Sequence, residues 1–152
     1  FFYQGNYHST IEQMRGLLEL DPSHYLARLM ISLSLTALND YPSALREIDS
    51  LSQTYTNINT VAHQGYILAK MGQKKDVDEL ISKIQRNYKD DPLLEFSVAL
   101  IYAGMNEKDS SFNWLNRSQE KYGFVYRDKT IGGDVRMKEL KKDRRFENLI
   151  YT

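Results

Sequence analysis

The sequence contains no cysteine, and only 3 of its 152 residues are proline. Without thiols there can be no disulfide, zinc–thiolate site, iron–sulfur cluster or cysteine nucleophile. The uncharged, apolar-rich stretches Leu29 to Asn39 and Phe96 to Asn106 fall well short of the roughly 20 apolar residues that cross a bilayer. These absences exclude several enzyme classes and predict that no helix spans a membrane.

The sequence also lacks net charge, with 20 basic and 20 acidic residues. Zero net charge disfavours a protein that binds nucleic acid or membranes through an overall positive field. The total hides an asymmetry, because residues 1–116 hold 10 basic and 14 acidic residues, whereas residues 117–152 hold 10 and 6. The basic cluster of the tail comprises Lys138, Lys141, Lys142, Arg144 and Arg145. It has no interleaved aromatics and no groove-reading motif, so we expect it to contact the acidic body or solvent and not nucleic acid.

What is present is helical periodicity. Apolar residues such as Leu26, Leu29 and Leu33 recur three and four positions apart, and strand-type alternation is never sustained. With 41% hydrophobic residues the chain can bury a core. The periodicity predicts an all-α fold with helices at 7–20, 24–38, 42–53, 59–71, 75–88, 93–105 and 110–121.

A repeat of about 34 residues organises these helices. Residues 5–7 (Gly-Asn-Tyr), 10–12 (Thr-Ile-Glu) and 17–22 (Leu-Leu-Glu-Leu-Asp-Pro) resemble the second half of a tetratricopeptide repeat. The turn at residues 5–7 recurs at 39–41, at Gly72 and at 106–107. The resemblance implies a right-handed α-solenoid with a partial repeat at 1–24 and repeats at about 25–57, 58–91 and 92–122. Because the first repeat lacks most of its first helix and the chain does not begin with Met, we expect a segment of a longer protein.

The tail, residues 123–152, departs from the repeat. We expect a loop that includes Gly132-Gly133, followed by short helices whose Leu140, Phe146, Leu149 and Ile150 cap the open end of the array. This pattern is similar to the end of tetratricopeptide regions in bacterial multidomain regulators. That resemblance implies an alternative role as the sensory region of a winged-helix transcription regulator, adenylate cyclase or kinase.

The candidate partner-binding surface follows from the tetratricopeptide resemblance, because in that family the first helix of each repeat lines a concave groove. The residues at these positions or beside them are Tyr3, Leu26, Leu29, Leu33, His63, Tyr66, Lys70, Phe96 and Leu100. Such an apolar surface predicts binding of a peptide, a helix or a second copy of the chain. The alternative is that the groove is covered, either by the chain's own tail or by upstream repeats. The sequence leaves this alternative and partner binding equally open.

Nothing in the sequence predicts catalysis or a cofactor. His8, His24 and His63 lack the partners and spacing of metal or nucleophile motifs, so we expect structural or surface roles for all three, with surface or capping roles for His8 and His24. The expected function is a non-catalytic protein-interaction or scaffold module. The expected compartment is the cytoplasm, with the periplasm left open, since either location is compatible with the absence of cysteine.

Overall fold

The computed structural model describes residues 5–123 and 134–151, and within these ranges it is all-α with no strand. The α-helices are α1 (Tyr7–Leu20), α2 (Tyr25–Ala37), α3 (Tyr41–Ser52), α4 (Ile58–Lys70), α5 (Lys74–Asn87), α6 (Leu94–Gly104), α7 (Lys108–Tyr122) and α8 (Arg144–Tyr151). Two 3₁₀ turns, Val135–Met137 and Leu140–Lys142, precede α8. The seven predicted helices are confirmed, with every end within two residues of its predicted position. Tyr3 and the glycine pair of the predicted loop lie outside the described residues.

The repeat is visible in the turns that precede α1, α3, α5 and α7. Each contains one residue with a positive φ angle, at Gly5, Asn39, Gly72 and Asn106, so the interval is 34, 33 and 34 residues. Glycine and asparagine adopt this left-handed conformation more readily than other residues. The last three turns are each closed by the same backbone hydrogen bond, for example Asp40 N to Leu35 O at 2.9 Å and Glu107 N to Tyr102 O at 3.0 Å. The periodicity of the sequence is therefore also a periodicity of backbone geometry.

Side-chain caps fix several helix starts. The side chains of Asn6 and Asp40 accept hydrogen bonds from the third residue of α1 and α3, and Asn57 forms a reciprocal capping box with Thr60 on α4. His24 caps α2, since its Nδ1 accepts from Ala27 N at 3.2 Å; capping is one of the two roles that the sequence left open for it. These bonds satisfy backbone donors that a helix start would otherwise leave unpaired.

Consecutive helices pack against one another, and α4 also packs against α6. Two glycines allow this second contact. A Cβ atom on Gly65 would stand 2.5 Å from Ile101 Cδ1, and one on Gly104 would stand 2.9 Å from the Tyr66 carbonyl oxygen. Gly65 of α4 therefore lies directly against Ile101 of α6.

The core is divided into three apolar clusters along the chain. The first joins α1, α2 and α3 with Ile67 of α4, and the second lies between α4, α5 and α6. The third contains Phe112 and Leu115 of α7 together with Leu140, Phe146 and Leu149 of the tail. These three tail side chains are buried, as expected of a cap, whereas the side chain of Ile150 is not described.

The basic tail also contacts the acidic body. Arg145 pairs with Asp109 of α7 at 2.7 Å and with Asp143 at 2.9 Å, and its guanidinium stacks on the Phe112 ring at 4.4 Å. The hydrogen bonds from Arg145 lower the pKa of Asp143 to about 2. Part of the tail charge is thus neutralised within the chain, as the sequence analysis expected.

Candidate partner-binding face

We call the predicted partner-binding residues of α2, α4 and α6 the inner face. Leu26 is 55% exposed and Lys70 is exposed, whereas Leu29, Leu33 and Phe96 are half-buried. His63, Tyr66 and Leu100 are buried, with 0%, 5% and 1% of their surface exposed. Tyr3 belongs to the residues outside the description. The inner face is therefore accessible at its α2 end and closed where α4 meets α6.

The tail covers the inner face where α4 meets α6. The first 3₁₀ turn, Val135–Met137, packs against α6 and α2. Met137 has no exposed surface and shares an apolar cluster with Ala62, Tyr66 and Leu100. Of the two covers considered for the groove, the chain's own tail is the one that the structure places there, over part of the face.

A buried polar chain joins the tail to α2 and α4. His63 Nε2 lies 3.0 Å from Ser32 Oγ, and Ser32 Oγ donates to the Ala44 carbonyl oxygen at 2.8 Å. On the other side of the ring, Arg136 Nη1 lies 3.3 Å from His63 Nδ1. A guanidinium can only donate, so Nδ1 must accept and Nε2 must carry the proton of a neutral imidazole.

Electrostatics agree with that assignment. Burial lowers the pKa of His63 well below its ordinary value of 6.5, and the positive charge of Arg136 lowers it further. Burial alone would raise the pKa of Asp134, but the charge and hydrogen bonds of Arg136 outweigh it and lower that pKa. The ion pair is bidentate, with Arg136 Nη2 to Asp134 Oδ2 at 2.8 Å and Nε to Oδ1 at 3.0 Å. The tail thus brings a neutralised guanidinium against a neutral, buried imidazole.

Two cavities flank Arg136. One, of about 110 Å³, is mainly apolar and includes Leu29, Leu33, Phe96 and Leu100 in its wall. The other, of about 330 Å³, is more polar. Its wall includes Tyr7, Tyr41, Tyr66, Lys70, Arg136, Lys138 and Glu139. Six of the predicted residues therefore line one of two cavities on either side of one tail side chain, and Leu26 lines neither.

A larger depression, of about 1090 Å³, lies elsewhere, between α4 and α5. Its wall consists mostly of α5 side chains of both signs, Lys74, Asp78 and Lys83 among them, and these are exposed. No polar side chain that is buried points to a bound group there, so we regard it as ordinary surface.

Sequence reasoning missed the side chains that organise the inner face, namely Ser32, Asp134, Arg136 and Met137. Residues 134–137 enter the sequence analysis only as part of the tail, 123–152. The available signal was the Asp-x-Arg spacing followed by an apolar residue, which brings an ion pair and an anchor into one turn. Ser32 carries no signal, because serine in a helix predicts no specific partner.

The described residues contain neither a candidate metal site nor a candidate membrane-spanning helix. Across 5–123 and 134–151, no three His, Asp or Glu side chains gather in a way that could hold a metal ion. No helix of the same ranges has both the length and the apolar character needed to cross a bilayer.

No protein-family model, curated protein or solved structure gave a match to this chain.

Proposed function

We propose that this chain is a non-catalytic protein-interaction module of the tetratricopeptide type, and that it binds a peptide or helical segment of a partner on the inner face. The observation that carries the proposal is the docked tail. A surface that already holds Val135–Met137 with a buried apolar anchor and a partly buried hydrogen bond has the properties needed to hold a short segment of another protein.

The recurring turns support the tetratricopeptide assignment. Positive φ angles at 34, 33 and 34 residue intervals match the period of that repeat, as do the hydrogen bonds that close the turns at Asp40, Gln73 and Glu107. In such arrays each helical pair needs its neighbours to bury its apolar face, which makes the stack a rigid platform.

The energetics also favour a short, partly apolar segment. Burying one leucine- or phenylalanine-sized side chain contributes about 1.5–3 kcal/mol before ordering costs. Leu29, Leu33 and Phe96 retain partial exposure beside the apolar cavity, so a partner reaches these apolar side chains, as it reaches exposed Leu26, without displacing the fold.

A peptide display library tests the proposal. Peptides selected on the full chain should lose most of their binding to a Leu29→Asp, Leu33→Asp variant. They should keep it on a Leu17→Asp, Leu20→Asp variant, because those two leucines are exposed on α1, away from the inner face. Circular dichroism and thermal melting establish that each variant is folded, and Leu26→Asp serves as a milder change on the inner face.

The proposal fails if the selected peptides bind the inner-face variant and the α1 variant equally well. It also fails if exhaustive selection on the folded chain yields no binder, since a surface built to hold short segments must enrich some of them.

A further inference from the structure

The buried ring of His63 presents one fixed acceptor to the occupant of the inner face. Its Nε2 proton is committed to Ser32, so Nδ1 remains an acceptor. His63 is fully buried, and a buried acceptor without a donor is costly. Among the described residues the donor comes from the tail, from Arg136. Any segment that replaces the tail must therefore supply a comparable donor at the same point.

The inner face also requires a long apolar side chain, one residue after the arginine of the bound segment. Met137 is fully buried in the cluster that contains Tyr66 and Leu100. In a 3₁₀ turn successive side chains point about 120° apart, because there are three residues per turn. Adjacent residues can thus enter two different subsites, the guanidinium at His63 and the thioether in the apolar cluster.

The charge of the occupant is balanced by the occupant itself. The carboxylate that pairs with Arg136 in the described part of the chain is Asp134, two positions earlier in the same turn. An arginine buried without such a pair would pay a large desolvation cost. The face therefore suits a segment that carries its own acidic residue two positions before the arginine.

From these contacts we propose that the inner face recognises, in a partner protein, a segment of the form acidic–x–arginine–long apolar, and that the tail of this chain is its internal competitor. This rests on the proposed function and specifies the chemistry of the partner.

The unfilled space beside Arg136 argues for a partner rather than the tail alone. No described side chain occupies the cavity of about 110 Å³ bounded by Leu29, Leu33 and Phe96. A partner segment with a further apolar residue near its arginine fills this cavity and gains contacts that the tail does not make. That gain is needed, because a tethered competitor acts at an effective concentration in the millimolar range.

The test uses a fluorescein-labelled peptide with the sequence of residues 134–140, Asp-Val-Arg-Met-Lys-Glu-Leu, and measures anisotropy with two full-length proteins. In an Arg136→Ala, Met137→Ala variant the tail no longer competes, so we expect saturable binding. The unaltered chain should bind the peptide at least about tenfold more weakly, because its own tail occupies the face. If the double variant does not fold, Arg136→Gln alone provides the weakened competitor.

Peptide variants test the arginine. Replacing the peptide arginine by glutamine, or its methionine by serine, should weaken binding about 5- to 100-fold, as expected for an unsatisfied buried acceptor or a lost anchor. Replacing the peptide lysine, the residue after the methionine, by glutamine is the matched control and should change little, since Lys138 is exposed.

Four results would overturn the inference. Equal binding of the arginine and glutamine peptides would show that His63 does not select the occupant, and absence of binding to a folded, tail-released variant would show that the tail is only a cap. A tail-dependent dimer of the unaltered chain in sedimentation would identify the occupant as a second copy. If display peptides bind the inner face but lack the arginine–apolar pair, this inference fails while the proposed function stands.

Discussion

The two halves of the inner face are built from the same repeat and packed in different ways. Between α4 and α6 the contact is close and apolar, because Gly65 and Gly104 leave no Cβ atom between the helices and Met137 seals the junction. Between α2 and α4 the link is polar, through Ser32 and His63. The first half leaves only 5% of the Tyr66 surface and 1% of the Leu100 surface exposed, whereas the second retains exposed Leu26. Residues of both halves line the two cavities beside Arg136.

The difference between the α4–α6 and α2–α4 junctions shows that a repeat pattern sets the order of the helices but not the distance between them. That distance depends on one or two residues per junction. Small residues bring α6 onto α4, whereas a serine and an imidazole hold α2 and α4 together through a directional hydrogen bond. Arg136 of the tail docks against His63 at the second junction and leaves the space on either side of it unfilled.

The largest expected effect comes from the side chain that seals the closed half. Met137→Ala should lower the free energy of unfolding by about 2–5 kcal/mol, because it removes a fully buried side chain and leaves a cavity. Denaturant titration measures this loss. Val135→Ala, at a half-buried position of the same turn, should cost clearly less, and equal losses for the two variants would argue against a specific Met137 subsite.

The next effect compares two serines with equivalent hydrogen bonds. Ser32 donates to Ala44 O at 2.8 Å, and Ser111 donates to Ala99 O at 2.7 Å. Ser111→Ala should cost about 1 kcal/mol, whereas Ser32→Ala should cost about 2–3 kcal/mol because it also deprives His63 of a partner. Chemical denaturation of both variants checks the difference, and a Ser32 loss no larger than the Ser111 loss would contradict the polar link.

Glycine substitutions sharpen the contrast in packing. Gly104→Ala should destabilise the fold by about 1–2 kcal/mol, since its Cβ would press on the Tyr66 backbone of α4. Gly16→Ala is the matched control, because no atom lies within 4 Å of its Cβ position on α1. There the better helix propensity of alanine should stabilise the protein by about 0.5–1 kcal/mol. Thermal melts should show a lowered melting temperature for Gly104→Ala and a raised one for Gly16→Ala.

The last expected effect is a dependence on pH. The pKa of His63 is lowered in the folded state by burial and by Arg136, so below about pH 6.5 the unfolded chain binds a proton that the folded chain does not. Stability should fall as the pH drops from 6.5 towards 5, by no more than about 1.4 kcal/mol per pH unit for this one group. Denaturation at a series of pH values measures the slope.

The control for the pH effect is an exposed histidine. His8→Gln should leave the slope unchanged, whereas His63→Gln should remove most of it even if that variant is less stable overall. Asp134 and Asp143, whose pKa values are lowered, lose their contribution at lower pH than His63. An unchanged slope in folded His63→Gln would show that the imidazole is not held neutral.

Local signals explain why the helices were predictable and the state of the inner face was not. Apolar spacing, the left-handed turn residues Asn39 and Gly72, and caps such as His24 act within a few residues of chain. The position of Arg136 against His63 joins residues 73 positions apart, and nothing in either neighbourhood signals it. For the same reason the sequence left open whether Tyr66 and Leu100 are exposed or covered by the tail.

Observation of the Met137 methyl group by nuclear magnetic resonance is the most direct test of whether the tail occupies the inner face. The structure predicts nuclear Overhauser effects from the Met137 ε-methyl protons to side chains of its cluster on α4 and α6, with Tyr66 and Leu100 as the assigned partners, and a methyl shift displaced from its random-coil position. A sharp methyl signal at the random-coil position, without such effects in the folded protein, would contradict the account.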